Sequence, residues 1–223
     1  MAVISKIYSV FLKDFKSELR SRYAISSVLL FVLIVISIII FSAVGEEFTS
    51  KLTAAFIWII IFFSSMTGLS KSFVSEEERK TLLLLQSAAS PPVIYFGKLL
   101  FNNILSLFIN ASAVILFLLF TDIEIVRNPA GFILTIFLGS IGIASATTVI
   151  SSIIAKASSK NALFPVLSFP LLLPLIILGI ESTELSFSSA EFADSAGNFP
   201  MMIAYSGIVI AASFLLIETI LSE

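Results

Sequence analysis

Long apolar runs alternate with short polar connections along this chain, and the runs themselves do not alternate. Residues 28–40 read VLLFVLIVISIII without a regular polar position. A strand of a membrane barrel alternates apolar and polar residues over about ten positions. A helix instead needs about 20 mostly apolar residues to cross roughly 30 Å of hydrocarbon. Six stretches suffice: 24–44, 52–69, 93–120, 130–155, 162–180 and 200–221. The pattern predicts an all-α integral membrane protein, one domain over 1–223, with six transmembrane helices. The first run is longer than the apolar part of a cleavable leader and follows a long charged segment, so it reads as a retained span.

Residues 1–22 carry a different pattern. Ile4, Ile7, Tyr8, Phe11, Leu12, Phe15 and Leu19 recur at steps of three and four, one face of a helix. The other face carries Lys6, Lys13, Lys16, Glu18 and Arg20. This predicts an N-terminal interfacial amphipathic helix, an elbow lying along the side of the bundle. A plain topology anchor that happens to be helical fits the same residues.

A second unusual segment joins spans two and three. Ser75 followed by Glu78 has the spacing of a capping box, with Glu76 and Glu77 in the first turn. Arg79 and Lys80 follow, then Thr81, Leu82, Leu83 and two further leucines, until Pro91 and Pro92 end the segment. The expectation is one helix of about ten to fourteen residues, too short to cross the membrane. Ser75 to Lys80, with Leu82 and Leu83, are the candidates for docking a cytoplasmic protein. An interfacial loop without a partner is equally compatible, since exposed apolar patches mark interaction sites only statistically.

Composition agrees with a lipid solvent. The 223 residues are 58% hydrophobic and 13% charged, too apolar for one soluble core with a polar exterior. The net charge of −2 is uninformative, but its distribution is not. Alternate connections place eleven of the thirteen Lys and Arg on one side, leaving Lys51 and Arg127 on the other. By the positive-inside rule both termini are cytoplasmic. The outer side carries Glu46, Glu47, Asp122, Glu124, Glu181, Glu184, Glu191 and Asp194.

The spans hold little ionisable chemistry. Lys98 is placed to snorkel to the cytoplasmic surface, and Glu218 lies near the end of the sixth span. With no acid or base in mid-membrane, a proton-coupled carrier is poorly supported. Asn103, Ser106 and Asn110 share a face of the third span, and the fourth is rich in Gly, Ala, Ser and Thr. Both patterns fit helix packing, and both fit a seam between subunits or a substrate route. Pro165, Pro170 and Pro174 predict a kinked fifth span, a static bend or a moving element. Residues 181–199 read as a polar outer loop with amphipathic hints.

There is no His and no Cys, no Gly-rich loop ending in Gly-Lys-Ser/Thr, no HExxH and no GxSxG. The expectation is no catalytic residue, no metal site and no nucleotide site in this chain. No pattern points to nucleic acid.

An acidic turn at Glu76–Glu78, a leucine stretch at Leu82–Leu85, Ser90-Pro91, and Gly97-Lys98 at the next span resemble the first cytoplasmic loop of ABC-2-type exporter permeases. SSKNALFPVLSFPLLLPLIILG is similar to the proline-rich fifth span of the CcmB-type permease of cytochrome c maturation, the haem exporter B family. The resemblance implies a permease in a bacterial-type cytoplasmic (inner) membrane, with a coupling helix at the docking segment. It implies a separate ABC ATPase subunit that binds ATP, and a second permease copy or related permease. A haem-handling membrane protein and a periplasmic haem chaperone belong to the same system. Haem enters as cargo of the complex rather than as a bound cofactor. A permease for another amphiphilic substrate, or a non-transporting membrane scaffold, stands as the alternative.

Overall fold

The computed structural model describes residues 2–42, 48–121, 126–155 and 160–222, and their regular structure is entirely helical. Val44, Glu46, Glu47, Asp122, Glu124 and Lys156, with the Lys160 side chain, lie outside the described residues. In chain order the helices are α1 (Ala2–Ser21), α2 (Tyr23–Ser42), α3 (Ser50–Leu69), α4 (Val74–Glu78) and α5 (Leu82–Ala88). Then come α6 (Pro91–Phe120), α7 (Pro129–Ile154), α8 (Lys160–Ser188), α9 (Phe192–Ala196) and α10 (Phe199–Ser222). Six are long and apolar enough to cross a membrane: α2, α3, α6, α7, α8 and α10.

The helix ends follow local chemistry. Pro91 opens α6 behind an extended Ser90, since proline's missing N–H is no loss in a first turn. Asn128 caps α7, its side chain accepting from the Gly131 N–H at 3.0 Å. The α1–α2 elbow turns on one residue, Arg22, at φ 52. The predicted outer loop 181–199 is mostly helix: α8 runs on to Ser188, and α9 and the start of α10 occupy much of the rest. Thr183 explains part of the extension, because its hydroxyl accepts from the buried Trp58 indole N–H at 2.9 Å.

α7 is the axis of the bundle. It packs against α3, α6, α8 and α10, and 72% of its apolar window is buried against 22% for α2. Its small residues let neighbours approach on every side. The hydroxyls of Ser145, Thr147 and Thr148 turn back to their own helix at 2.8, 2.8 and 2.6 Å, so they cost little in an apolar interior. The small-residue pattern of this span is therefore internal packing.

One end of the bundle gathers α1, α4, α5, the start of α6 and the ends of α3, α7 and α10. Ser151 of α7 accepts from the Phe73 N–H at 2.9 Å. The Leu221 carbonyl of α10 accepts from Gln86 of α5 at 2.7 Å. Lys6 of α1 and Leu221 of α10 both reach α5 at this end. α1 crosses α6 at Gly97, where a Cβ would stand 2.6 Å from Val10 Cβ and 2.9 Å from the Ile7 carbonyl oxygen. Only glycine admits that approach. Ile4, Tyr8 and Leu19 stay exposed on a neighbouring face of α1.

Candidate functional site

The segment between α3 and α6 is two short helices rather than one. α4 stops at Glu78, and Lys80 takes a left-handed conformation at φ 56. The Thr81 N–H bonds the Glu76 carbonyl at 2.9 Å and the Lys80 N–H bonds the Glu77 carbonyl at 3.0 Å. That is a Schellman motif, with a lysine where glycine is usual. The expected capping box does not form: Phe73 occupies the N-cap without a side-chain cap bond, and Ser75 lies inside α4.

Glu76 explains the break. It is buried, and its carboxylate is the centre of an ion cluster. Lys98 of α6, 1% exposed, reaches Glu76 Oε1 at 3.2 Å and Asp14 Oδ2 of α1 at 3.0 Å. Lys13 of α1 also pairs with Glu76 Oε1, and with Asp14 at 3.2 Å. The Thr81 hydroxyl donates to Glu76 Oε2 at 2.6 Å. Lys98 completes its shell with the Ser72 carbonyl at 2.8 Å and the Phe73 ring at 5.2 Å. Lys98 thus does not snorkel. Two internal carboxylates hold it, as a buried ammonium requires. Burial pulls the Lys13 pKa down, but Asp14 and Glu76 outweigh that and hold it above the usual 10.5. Nothing in the periodicity of α1 singled out Asp14; only its place beside Lys13 on the polar face hinted at it.

The cluster sorts the docking candidates. Glu76 faces inward, while Ser75 and Glu77 are half-buried. Leu82 is 2% exposed and packs with Phe73, Ile94 and Tyr95. Glu78, Arg79, Lys80 and Leu83 are exposed. Leu84, from the same leucine stretch, joins them, as the inward pair Leu82 and Leu85 implies. Leu83 and Leu84 are 76% and 69% exposed. The result is a two-leucine projection flanked by Glu78, Arg79 and Lys80. Its base is tied to α10 through Gln86, to α1 through the Lys6 bond to the Ala88 carbonyl at 3.3 Å, and to α6 through Glu76.

The seam candidates divide. Ser106 and Asn110 are fully buried inside this chain. Asn110 bonds Ser65 of α3 at 3.0 Å and Ser140 of α7 at 3.0 Å, and Ser106 bonds the Ser140 carbonyl at 3.1 Å. They lock α3, α6 and α7 together. Asn102 plays the same part through Thr148 at 2.8 Å. Asn103 is half-buried and donates to the Leu99 carbonyl at 2.9 Å. Pro165, Pro170 and Pro174 all lie on the exposed side of α8, which is assigned as one helix through all three. The Tyr205 hydroxyl donates to the Leu171 carbonyl at 2.9 Å, inside the turn from Pro170 to Pro174.

A family model described as CcmB protein matches residues 5–219. No curated protein matches the chain.

Proposed function

The chain belongs to the CcmB protein family, and from that premise we propose that it is the transmembrane permease subunit of an ABC transporter complex serving haem export or delivery in cytochrome c biogenesis. A separate ABC ATPase binds ATP and docks at the basic end, on Leu83, Leu84, Glu78, Arg79 and Lys80. That end faces the cytoplasm of a bacterial-type inner membrane, in keeping with the positive-inside rule.

The observation that carries the docking reading is an exposed leucine pair on a segment with three rigid attachments. An apolar projection ringed by charge is a common form of partner site. Nucleotide-driven movement of the ATPase would pass through Gln86 to α10 and through Glu76 to α6. A second permease copy or a related permease completes the translocation frame. A haem-handling membrane protein and a periplasmic haem chaperone act beside it. The chain has no His and no Cys to offer the iron, so axial ligands come from those partners.

Deleting the gene in its host tests the role. The expected result is loss of covalent c-type haem with b-type haem unchanged. Normal c-type cytochromes would overturn the haem role. If an ATPase still co-purified in that case, a permease for another amphiphilic substrate or a membrane scaffold would take its place.

A further inference from the structure

α1 grips the bundle with only part of its apolar surface. Val10 and Phe11 are buried and Ile7 is half-buried where the helix crosses α6 at Gly97. Ile4, Tyr8 and Leu19 remain 73%, 54% and 54% exposed. At about 100° per residue these three fall within a sector about 60° wide, beside the buried face rather than opposite it. The Tyr8 and Phe11 rings meet at 5.8 Å between centroids, so the sector continues the packed surface outward.

Cations border that sector. About 60–100° beyond Leu19 around the helix, α1 presents Lys16 and Arg20, both exposed, and an exposed Arg22 follows at the elbow. Among the described residues these three make no ion pair. The two acids of α1 are turned away from them: Asp14 is held by Lys98 at 3.0 Å, and Glu18 accepts from the Ile25 N–H at 3.4 Å. α2, one of the six membrane-length helices, starts at Tyr23, and its apolar window opens at Ile25. The end of α1 is thereby tied to the bilayer surface. An exposed apolar sector with a cationic border, held at that surface, has the form of a helix lying in a leaflet. A cytoplasmic protein would have to displace lipid to reach it.

We propose that the Ile4, Tyr8 and Leu19 sector of α1 is seated in the leaflet at this end of the bundle, and that Lys16, Arg20 and Arg22 hold anionic phospholipid headgroups along its border. The apolar side chains enter the acyl boundary, and the long cationic side chains reach back to the phosphates. Buried apolar area and attraction to anionic lipid add on such a helix. A zwitterionic headgroup brings its own ammonium to its phosphate, whereas an anionic one leaves its charge for the protein to meet. The other side of the same helix carries Lys13 and Asp14 into the ion cluster, so α1 joins the leaflet to α4 and α6. This surface does not depend on what the complex transports or on where an ATPase docks.

The chain has no cysteine, so single substitutions carry a spin label cleanly. The sample is the full chain in nanodiscs of phosphatidylcholine mixed with phosphatidylglycerol. Labels at Ile4→Cys and Leu19→Cys should collide with oxygen in preference to a water-soluble nickel chelate. A label at Ser9→Cys, on the polar face, should show the reverse. Nickel-dominated collision at Ile4 or Leu19 overturns the leaflet seat and leaves the sector to a protein partner. Native mass spectrometry, with the two lipids as competing probes, reads the headgroup. The wild-type chain should favour phosphatidylglycerol, and Lys16→Gln and Arg20→Gln should each lower that preference about fivefold. Arg127→Gln, an exposed cation at the other end of the bundle, should leave it unchanged. Equal retention of the two lipids by the wild type, or a preference undiminished in both α1 variants, overturns the headgroup assignment. The wild-type competition decides the headgroup even if a variant does not fold.

Discussion

Lys98 and Glu76 meet at 3.2 Å in the buried basic end, and through Asp14 at 3.0 Å they bind α6 to α4 and α1. The partners lie 22 and 84 residues from Lys98 in the chain, so the pair fixes tertiary geometry rather than a local turn. Such clusters add little over apolar packing when complete, but they are costly to break. Lys98→Met leaves Asp14 and Glu76 sharing only Lys13. It should cost about 3–5 kcal/mol in unfolding experiments in detergent. The triple variant Asp14→Asn, Glu76→Gln, Lys98→Met should recover most of that loss. Equal instability of the triple variant would mean that shape, not charge pairing, holds this end.

Lys13 predicts how the α1 attachment responds to pH. Its folded pKa lies above the usual 10.5, raised by Asp14 and Glu76 against the lowering effect of burial. A raised ammonium pKa stabilises the fold fully below the unfolded value and loses that contribution as pH rises through the folded one. The α1–α4 contact that Lys13 makes with Glu76, and with it the α5 segment that follows, should therefore hold from neutrality to about pH 10 and loosen above it. The chain has no cysteine, so Ser9→Cys with Ser87→Cys gives a clean spin-label pair. Its distance distribution should stay narrow until that alkaline limb, and Lys13→Met should widen it already at neutral pH. Widening of the wild-type distribution near neutrality would contradict the assignment.

The leucines of α5 separate docking from folding. Leu83→Asp with Leu84→Asp changes two exposed side chains, so unfolding should shift by no more than about 0.5 kcal/mol. Co-purification with the ATPase should be lost. Leu82→Asp buries a carboxylate beside Phe73, and should destabilise the chain before any partner is added. ATPase binding that survives the exposed pair would remove this face as the docking site.

Much of this was legible in one dimension. Six spans follow from length and apolarity. The stripe along α1 did not give its contact face, since Val10, outside the stripe, packs at Gly97 while Ile4, Tyr8 and Leu19 stay exposed. The helix ends and the site were less legible because their causes are distant in sequence. Ser75 and Glu78 have capping-box spacing, yet Glu76 is drawn to Lys98, and the chain breaks at a left-handed Lys80 to let Thr81 reach the same carboxylate. Lys98 looked free to snorkel until Asp14 arrived from the N-terminal helix. Asn110 and Ser106 offered a polar stripe with no sign of whether it faced a pathway or another helix. Ser140 supplies the answer from α7.

Trp58 gives a test at the other end of the bundle. It is the sole tryptophan, fully buried, and its indole N–H donates to the Thr183 hydroxyl at 2.9 Å. Its ring is wedged between Gly139 of α7 and Gly179 of α8, since a Cβ at either glycine would strike it. Thr183→Val keeps the shape and removes the acceptor, leaving a buried donor unpaired at about 1–3 kcal/mol. Trp58→Phe with Thr183→Val removes donor and acceptor together and leaves a smaller ring, so its cost should come from lost packing instead. Tryptophan fluorescence reads the site directly. In Thr183→Val the emission should keep the wavelength of a dry environment while the unfolding midpoint falls. A midpoint unchanged by Thr183→Val would mean that the two glycines alone hold the ring, and that the extension of α8 past Ile180 has another cause.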